Sequence, residues 1–486
     1  MGVKRYLASA AALTGLMAAN ATLGGLAAHA QDWNWQSDLS RPVSNAPAAK
    51  TATPATAPVT QAAPATAPQA GYTGAAAPST ATTATTAPAT IPSAPEATAV
   101  PAPGTVAAKA DDVPLTPLPE QAITHSDPAQ TIPGMPPVID PHNLYSETAS
   151  GHIAPEVAQD LARIYVPNLR SNDVSVIDPA TNTVVDRFKV GRGPQHVVPS
   201  WDLRTLWATN NAEGSTNGSL TPIDPRTGKP GPAVTVDDPY NMYFTPDGRS
   251  AIVVAEARRR LDFRDPHSMV LQGSVEAPHC AGINHAAFSI DGRYAIFTCE
   301  FGGYVVKVDT VNRKVLGYLK LSSGGMPQDI LVSPDGHTFY VADMMADGVF
   351  MVDGDNFRQT GFIHTGVGTH GLYPTRDGKQ MYVANRGSHL IHGRPHSKAG
   401  GVSIIDFATN KVVTNWPIPG GGSPDMGNVS ADGKSLWLSG RFDDVVYRFD
   451  TQTGAVIKIP VGAEPHGLTV WPQPGRYSIG HTGLLR

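Results

Sequence analysis

The sequence has 486 residues, with 36 Lys and Arg against 41 Asp and Glu and a formal net charge of -5. That balance offers no broad positive field, which argues against nucleic acid and anionic lipid as partners. After the first thirty residues no stretch is apolar for long enough to cross a bilayer, so the mature chain is expected to lack a transmembrane segment.

In chain order, residues 1–30 come first. Lys4 and Arg5 precede an apolar run, Leu7 to Leu26, that ends in the small-residue pattern Ala28-His29-Ala30. This is the pattern of a secretory signal, so the mature chain is expected to begin near Gln31 in a secreted or periplasmic location. A membrane anchor is the alternative, and a run rich in Ala and Gly rather than Leu and Ile speaks against it. Residues 31–114 are dominated by Ala, Pro and Thr, as in "APATAPQAGYTGAAAPSTATTATTAPAT". Such a segment has too little large apolar surface to offset chain entropy, and it reads as an extended, disordered tether that leaves cell-surface association open. Residues 115–152 stay Pro-rich but gain apolar residues ("GMPPVIDPHNLYSE"), and form a lead-in expected to lie on the surface of a folded domain spanning 153–486.

Within that domain one pattern returns about every 40 to 55 residues: a polar pair, an apolar strand, a turn that is usually Asp-Gly, and a second strand. Its copies are "GPQHVVPSWDLRTLWATN", "DPYNMYFTPDGRSAIVVAE", "GINHAAFSIDGRYAIFTCE", "MPQDILVSPDGHTFYVAD", "GTHGLYPTRDGKQMYVAN", "SPDMGNVSADGKSLWLSG" and "EPHGLTVWPQPGRYSIG". Most lead into two further strands, as in "VSVIDPATNTVVDRFKVG". Four short antiparallel strands make one blade, with Asp-Gly supplying the positive backbone angles of the hairpin. Seven copies predict an all-β, seven-bladed β-propeller. The strands of "RIYVPNLRSNDVSVIDPATNTVVDRFKV" lack an inner strand before them, and "HGLTVWP" lacks outer strands after it. N- and C-terminal strands are therefore expected to share one blade, which closes the ring. The pairing of the remaining "RYSIGHTGLLR" is open.

The segments "RIYVPNLRSNDVSVIDPATNTVV", "TFYVADMMADGVFMVD" and "QMYVANRGSHL" resemble the repeats of the YVTN family of secreted β-propellers, over essentially all of 163–472. The resemblance implies the fold and no single activity, because propellers of this shape host binding proteins, lactonases, lyases and metal or haem enzymes.

Counting back from each turn Asp, or from Gln473 in the last copy, aligns the polar pairs. The first positions are Gln195, Tyr240, Asn284, Gln328, His370, Asp425 and His466; the second are His196, Asn241, His285, Asp329, Gly371, Met426 and Gly467. All should converge at one mouth of the central channel, making His196, Asn241, His285, Asp329, His370, Asp425 and His466 the candidate ligand-binding residues. Four imidazoles there (His196, His285, His370, His466) could encircle copper or zinc, with Cys280, Cys299 or Met426 favouring copper. The alternative is that these residues are repeat consensus, bonded to the backbone of the next blade. Two loops on the same face read as enlarged: "EARRRLDFRDPHSM", offering Arg258, Arg259 and Arg260 to an anion beside His267, and "RGSHLIHGRPHSKAG", with His389, His392 and His396.

Cys299 is expected opposite Asn284, with Cys280 in the loop entering the same strand. A disulfide is one reading of the pair; a copper site with His279 and His285, or two free thiols, are the others. Glu256, Glu300, Asp329, Asp343 and Asp425 fall near the mouth as candidate bases. No Ser-His-Asp set, phosphate loop or CxxCH haem motif is present. The leading functional expectation is an exported binding or scaffold propeller with a small ligand or protein partner at its mouth. A periplasmic copper- or haem-dependent oxidoreductase and a propeller lactonase or lyase are the alternatives.

Overall fold

The computed structural model describes residues 126–486 apart from 214, 216, 323, 390 and 392; the segments expected to be a signal (1–30) and a tether (31–114), with the first part of the lead-in (115–125), lie outside the described residues. Turn chemistry builds the hairpins. The Asp side chains at 247, 291, 335, 377 and 432 each accept the backbone N–H two residues on, and each receives the hydroxyl of the Ser or Thr two residues before. The glycines that follow take φ of +66° to +80°, while the Asp residues do not. The Asp therefore caps the turn, and only the Gly supplies a positive angle.

Seven sheets result, one per blade. Blade one combines Thr469–Trp471 with Arg163–Asn168, Asp173–Asp178 and Thr183–Lys189, so strands from both ends of the repeat region close the ring. The other blades follow in order, beginning at Pro194, Pro239, Ile283, Pro327, Thr369 and Pro424. Inner strands are buried along their whole length, and the outermost are half exposed. Apolar clusters straddle neighbouring blades, for example Tyr243 and Ile252 of blade three with Phe288 and Phe297 of blade four.

In six blades the register between the first two strands slips at the polar pair. Consecutive side chains of an unbroken strand point to opposite faces, and the bulge re-aims them at the pair. A hydroxyl of the second strand takes up a freed backbone N–H: His196 N donates to Thr209 Oγ1 at 3.1 Å, His285 N to Thr298 Oγ1 at 3.0 Å, and Met426 N to Ser439 Oγ at 3.2 Å. The slip also moves Cys299 opposite Ile283, not Asn284.

Two segments lie outside the repeat. Ser126 to Thr148 runs across the turns of blades four, five and six, with Ile132 N bonded to Asp291 O, Leu144 N to Pro334 O, and Ile132, Met135, Leu144 and Tyr145 buried. Packed residues thus begin by Ser126, ahead of the boundary at 153 drawn from the sequence. The tail 476–486 crosses the channel at its lower end. Its contacts run from Trp201 and Met242 (blades two and three) to Gly427 and Asn428 (blade seven) and to Phe288 and Ser289 (blade four). Gly480 is required there: a Cβ would lie 2.4 Å from Tyr243 Cα and 2.5 Å from Met242 O, and its φ is +105°. Among the described residues no helix is long and apolar enough to cross a membrane.

Candidate functional site: a channel closed by the tail

The tail leaves the upper end of the channel as the entrance, and polar side chains line it in tiers. Deepest are His196, His285 and His481, all buried, with ring centroids 5.3 Å (196–285), 5.5 Å (196–481) and 4.7 Å (285–481) apart. His196 Nδ1 lies 3.0 Å from the Tyr240 carbonyl of the next blade, which makes it the donor and leaves Nε2 with its lone pair. Burial, followed by His466 and His481, holds His196 well below the usual imidazole range; burial, followed by His481 and His196, does the same to His285. Both rings are therefore neutral near pH 7.

One tier up, Asp425 sits between His370 Nδ1 (2.8 Å to Oδ1) and His466 Nδ1 (2.9 Å to Oδ2), with Arg386 at 3.5 Å and Arg441 at 3.9 Å. Tyr240 Oη lies 3.3 Å from His466 Nε2. Burial alone would raise the Asp425 carboxyl, but His370, Arg386 and His466 more than reverse that and hold it well below the usual range. Burial, then Arg441, pushes His466 down to about 3, so it serves Asp425 as a neutral donor. His370 is lowered likewise by burial.

At the rim stand Glu213, Glu256 and Glu300. Gln195 donates to Glu213 at 3.0 Å and Asn284 to Glu300 at 2.8 Å, and among the described residues none of the three forms an ion pair. Burial, then Glu300, Asp238 and Glu213, holds Glu256 well above the ordinary carboxylate range; burial likewise raises Glu300 and Glu213. Because the folded-state value exceeds the unfolded value near 4.3, the stability contribution is full below about pH 4 and is lost as pH rises through the raised value. Glu256→Gln removes that loss. Its unfolding midpoint by calorimetry is expected to exceed wild type by about 2 °C near pH 8 and to match it near pH 4; an equal shift at both would assign the effect to packing.

The structure thus brings His196, Asn241, His285, Asp329, His370, Asp425 and His466 to one channel, and divides them. Asn241 Nδ2 faces both His285 Nδ1 (3.2 Å) and His481 Nδ1 (3.1 Å). Asp329 Oδ2 accepts from Leu372 N of the next blade, one of the blade-to-blade ties expected of a repeat consensus, and its Oδ1 lies 3.6 Å from His481 Nε2. The metal set proposed from sequence needs correction. His370 and His466 turn to Asp425, and Cys280 and Cys299 form a disulfide with Cα atoms 4.8 Å apart, so neither sulfur is available as a thiolate. His279 packs on Tyr318 instead.

The arginine run is corrected too. Leu261 and Phe263 alternate into the core, so Arg260–Arg264 is a strand and the apparent loop is a tight turn. Arg258 and Arg260 pair with Asp237, Arg260 also with Asp262, and Arg259 donates to Pro278 O, so two of the three charges are already matched by carboxylates. His267 sits in the turn before the fourth strand, near Asp202, at the opposite end of the blade from the mouth. In blade six His389 packs at a tilt against Phe442 and His396 in a real loop; His392 lies outside the described residues. Asp343 accepts three backbone N–H groups as a turn cap.

Sequence reasoning missed His481, Glu213, Arg386 and Arg441. The last two stand nine residues after the turn Asp of their blades, as Glu256 and Glu300 do, so the same count that located the polar pairs marks them.

A model of the YNCE-like β-propeller family matches residues 131–474, most of the chain. The chain belongs to that family. This YNCE-like propeller is 23% identical over 315 residues to the uncharacterized protein YncE of Salmonella typhi, covering 58% of this chain and 79% of that one. Among solved structures it is similar to a putative 6-phosphogluconolactonase of Bacteroides uniformis (18% identity, TM-score 0.51, 63% and 98% of the two chains). It is also similar to the periplasmic gluconolactonase PpgL of Pseudomonas aeruginosa (19% identity, TM-score 0.51, 63% and 98%). At these identities the likeness is one of fold.

Proposed function

We propose that the protein is an exported binding propeller that takes a small cationic ligand through the open mouth of its channel, without catalytic activity of its own. The observation that carries this reading is the rim trio Glu213, Glu256 and Glu300, partly buried and without ion-pair partners among the described residues. Buried charge destabilises a scaffold, and apolar side chains would fill the same space more favourably, so such a trio at an opening points to something it binds. Arg441 acts on all three carboxyls and Arg386 on Glu300 without pairing with them, and a cation supplies further counter-charge. Burial of the groups inside a channel favours a small ligand over a protein partner. Export is supported by the signal-like residues 1–30 and by the Cys280–Cys299 disulfide, which suits an oxidising compartment.

Calorimetric titration of the disulfide-bonded chain with spermidine, Zn²⁺ and Cu²⁺ tests the reading. Binding is expected to tighten as pH rises, because the raised carboxyls lose their protons, and to weaken at least about a hundredfold in Glu256→Gln/Glu300→Gln, since one unit charge about 5 Å away at an effective dielectric near 20 is worth about 3 kcal/mol. An unchanged affinity in that double variant, or binding of phosphate or gluconate in place of cations, would overturn it.

A further inference from the structure

We propose that His196, His285 and His481 hold one transition-metal ion, zinc or copper, at the floor of the channel, and that the tail assembles the site by carrying His481 into it. The inference rests on the cation-binding reading above and names the ligand class.

One nitrogen from each of the three rings lies within 4.8 Å of the others, and the three residues come from blade two, blade four and the tail. Their Nε2 atoms are all buried, and none has a hydrogen-bond partner among the described residues. Three buried polar atoms without partners, on rings 4.7 to 5.5 Å apart, is an arrangement a folded protein avoids unless something joins them. Each ring is instead fixed through its other nitrogen: His196 by the Tyr240 carbonyl, His285 and His481 by the shared Asn241 amide. Asn241 Oδ1 accepts from Met242 N at 2.8 Å, so Nδ2 donates to both Nδ1 atoms and these two rings carry their proton on Nε2; an ion binds as the amide turns to accept from Nδ1–H and frees both Nε2 lone pairs. For His196 this is the usual construction of an imidazole metal site, in which Nδ1–H donates to an outer acceptor and leaves Nε2 to the ion. Bonds of about 2.0–2.1 Å require only that the rings close inward from their present spacing. Asp329, 3.6 Å from His481 Nε2, adds negative charge for a dication. His466 has both nitrogens occupied, Nδ1 by Asp425 and Nε2 by Tyr240 Oη, and His370 stands outside the group of three.

The tail's backbone is shaped for this delivery. His481 takes φ of +54°, a conformation side-chain-bearing residues seldom adopt, directly after Gly480, whose close approach to Tyr243 admits no side chain. His481 N donates to Met242 O at 3.0 Å, and Thr482 Oγ1 to Gly427 O at 2.8 Å, so the imidazole is pinned from two sides of the channel. Strained backbone held by its surroundings is characteristic of functional positions.

The test is equilibrium dialysis of the metal-stripped, disulfide-bonded full chain against Zn²⁺ and Cu²⁺, with bound metal read by elemental analysis and ligation by the visible spectrum of Co²⁺. One ion per chain is expected. His481→Ala and His285→Ala should weaken it about a hundredfold or more, beyond the loss typical of an outer-shell partner. His389→Ala/His396→Ala, in the blade-six loop, should leave it unchanged. Near-UV circular dichroism establishes that the variants fold, and Gly480→Ala, which displaces the tail but keeps the imidazole, should lose the ion as well. Failure to bind an ion, or equal binding by wild type and His481→Ala, overturns the proposal. Spermidine binding without metal binding would sink the metal site and leave the cation-binding channel standing.

Discussion

Removing residues 476–486 is expected to lower the unfolding midpoint by on the order of 10 °C. Tyr477, Ile479 and Leu485 are each 2% exposed, and burying a large apolar side chain is worth about 1.5–3 kcal/mol. Three such losses amount to several kcal/mol, and the deletion also strips partners from groups that remain buried. Asn428 Nδ2 loses the Thr482 and Gly483 carbonyls, and the Phe288 and Ser289 carbonyls lose the Arg486 guanidinium. The milder Gly480→Ala should reproduce part of the shift, since its Cβ collides with blade three. Calorimetry checks both; a truncated chain as stable as wild type would mean that the tail rests on the propeller without supporting it.

Asp425→Ala is the second large effect, with an expected cost of about 3–5 kcal/mol near pH 7, because it leaves the buried Arg386 without its counter-ion. The pH dependence has a definite sign. The folded-state value of Asp425 is depressed, so its contribution is present above the unfolded value near 3.9 and is lost as pH falls through the folded value. The gap between wild type and variant in chemical denaturation should therefore be full near pH 7 and narrow below about pH 4. A gap independent of pH would assign the carboxylate a packing role only.

The ring of blades was legible because each blade repeats a period of two inside a period of about 45 residues, bounded by turns whose Ser, Thr, Asp and Gly act locally. The convergence of the polar pairs followed from that register. The bulges did not, since the extra residue shows only against the partner strand; Cys299 accordingly sits one position away from its expected neighbour. Arg258–Arg260 misled because a charge run masks the Leu261 and Phe263 alternation that follows it. The tail was unreadable for a different reason: "RYSIGHTGLLR" has no period, and its place depends on Gly480 fitting against Tyr243 and on three scattered apolar anchors. A non-repeating segment after the last inner strand, carrying buried-type residues, two glycines and a histidine, was the available signal. It leads to the same place as the polar pairs, the floor of the channel.

The most direct measurement is an anomalous difference map from crystals of the disulfide-bonded chain soaked in Zn²⁺ or Cu²⁺. A single strong peak about 2.0–2.1 Å from the Nε2 atoms of His196, His285 and His481 is the expected result. A channel without a peak, or a peak held by His389 and His396 in the blade-six loop, would contradict a cation site completed by the tail.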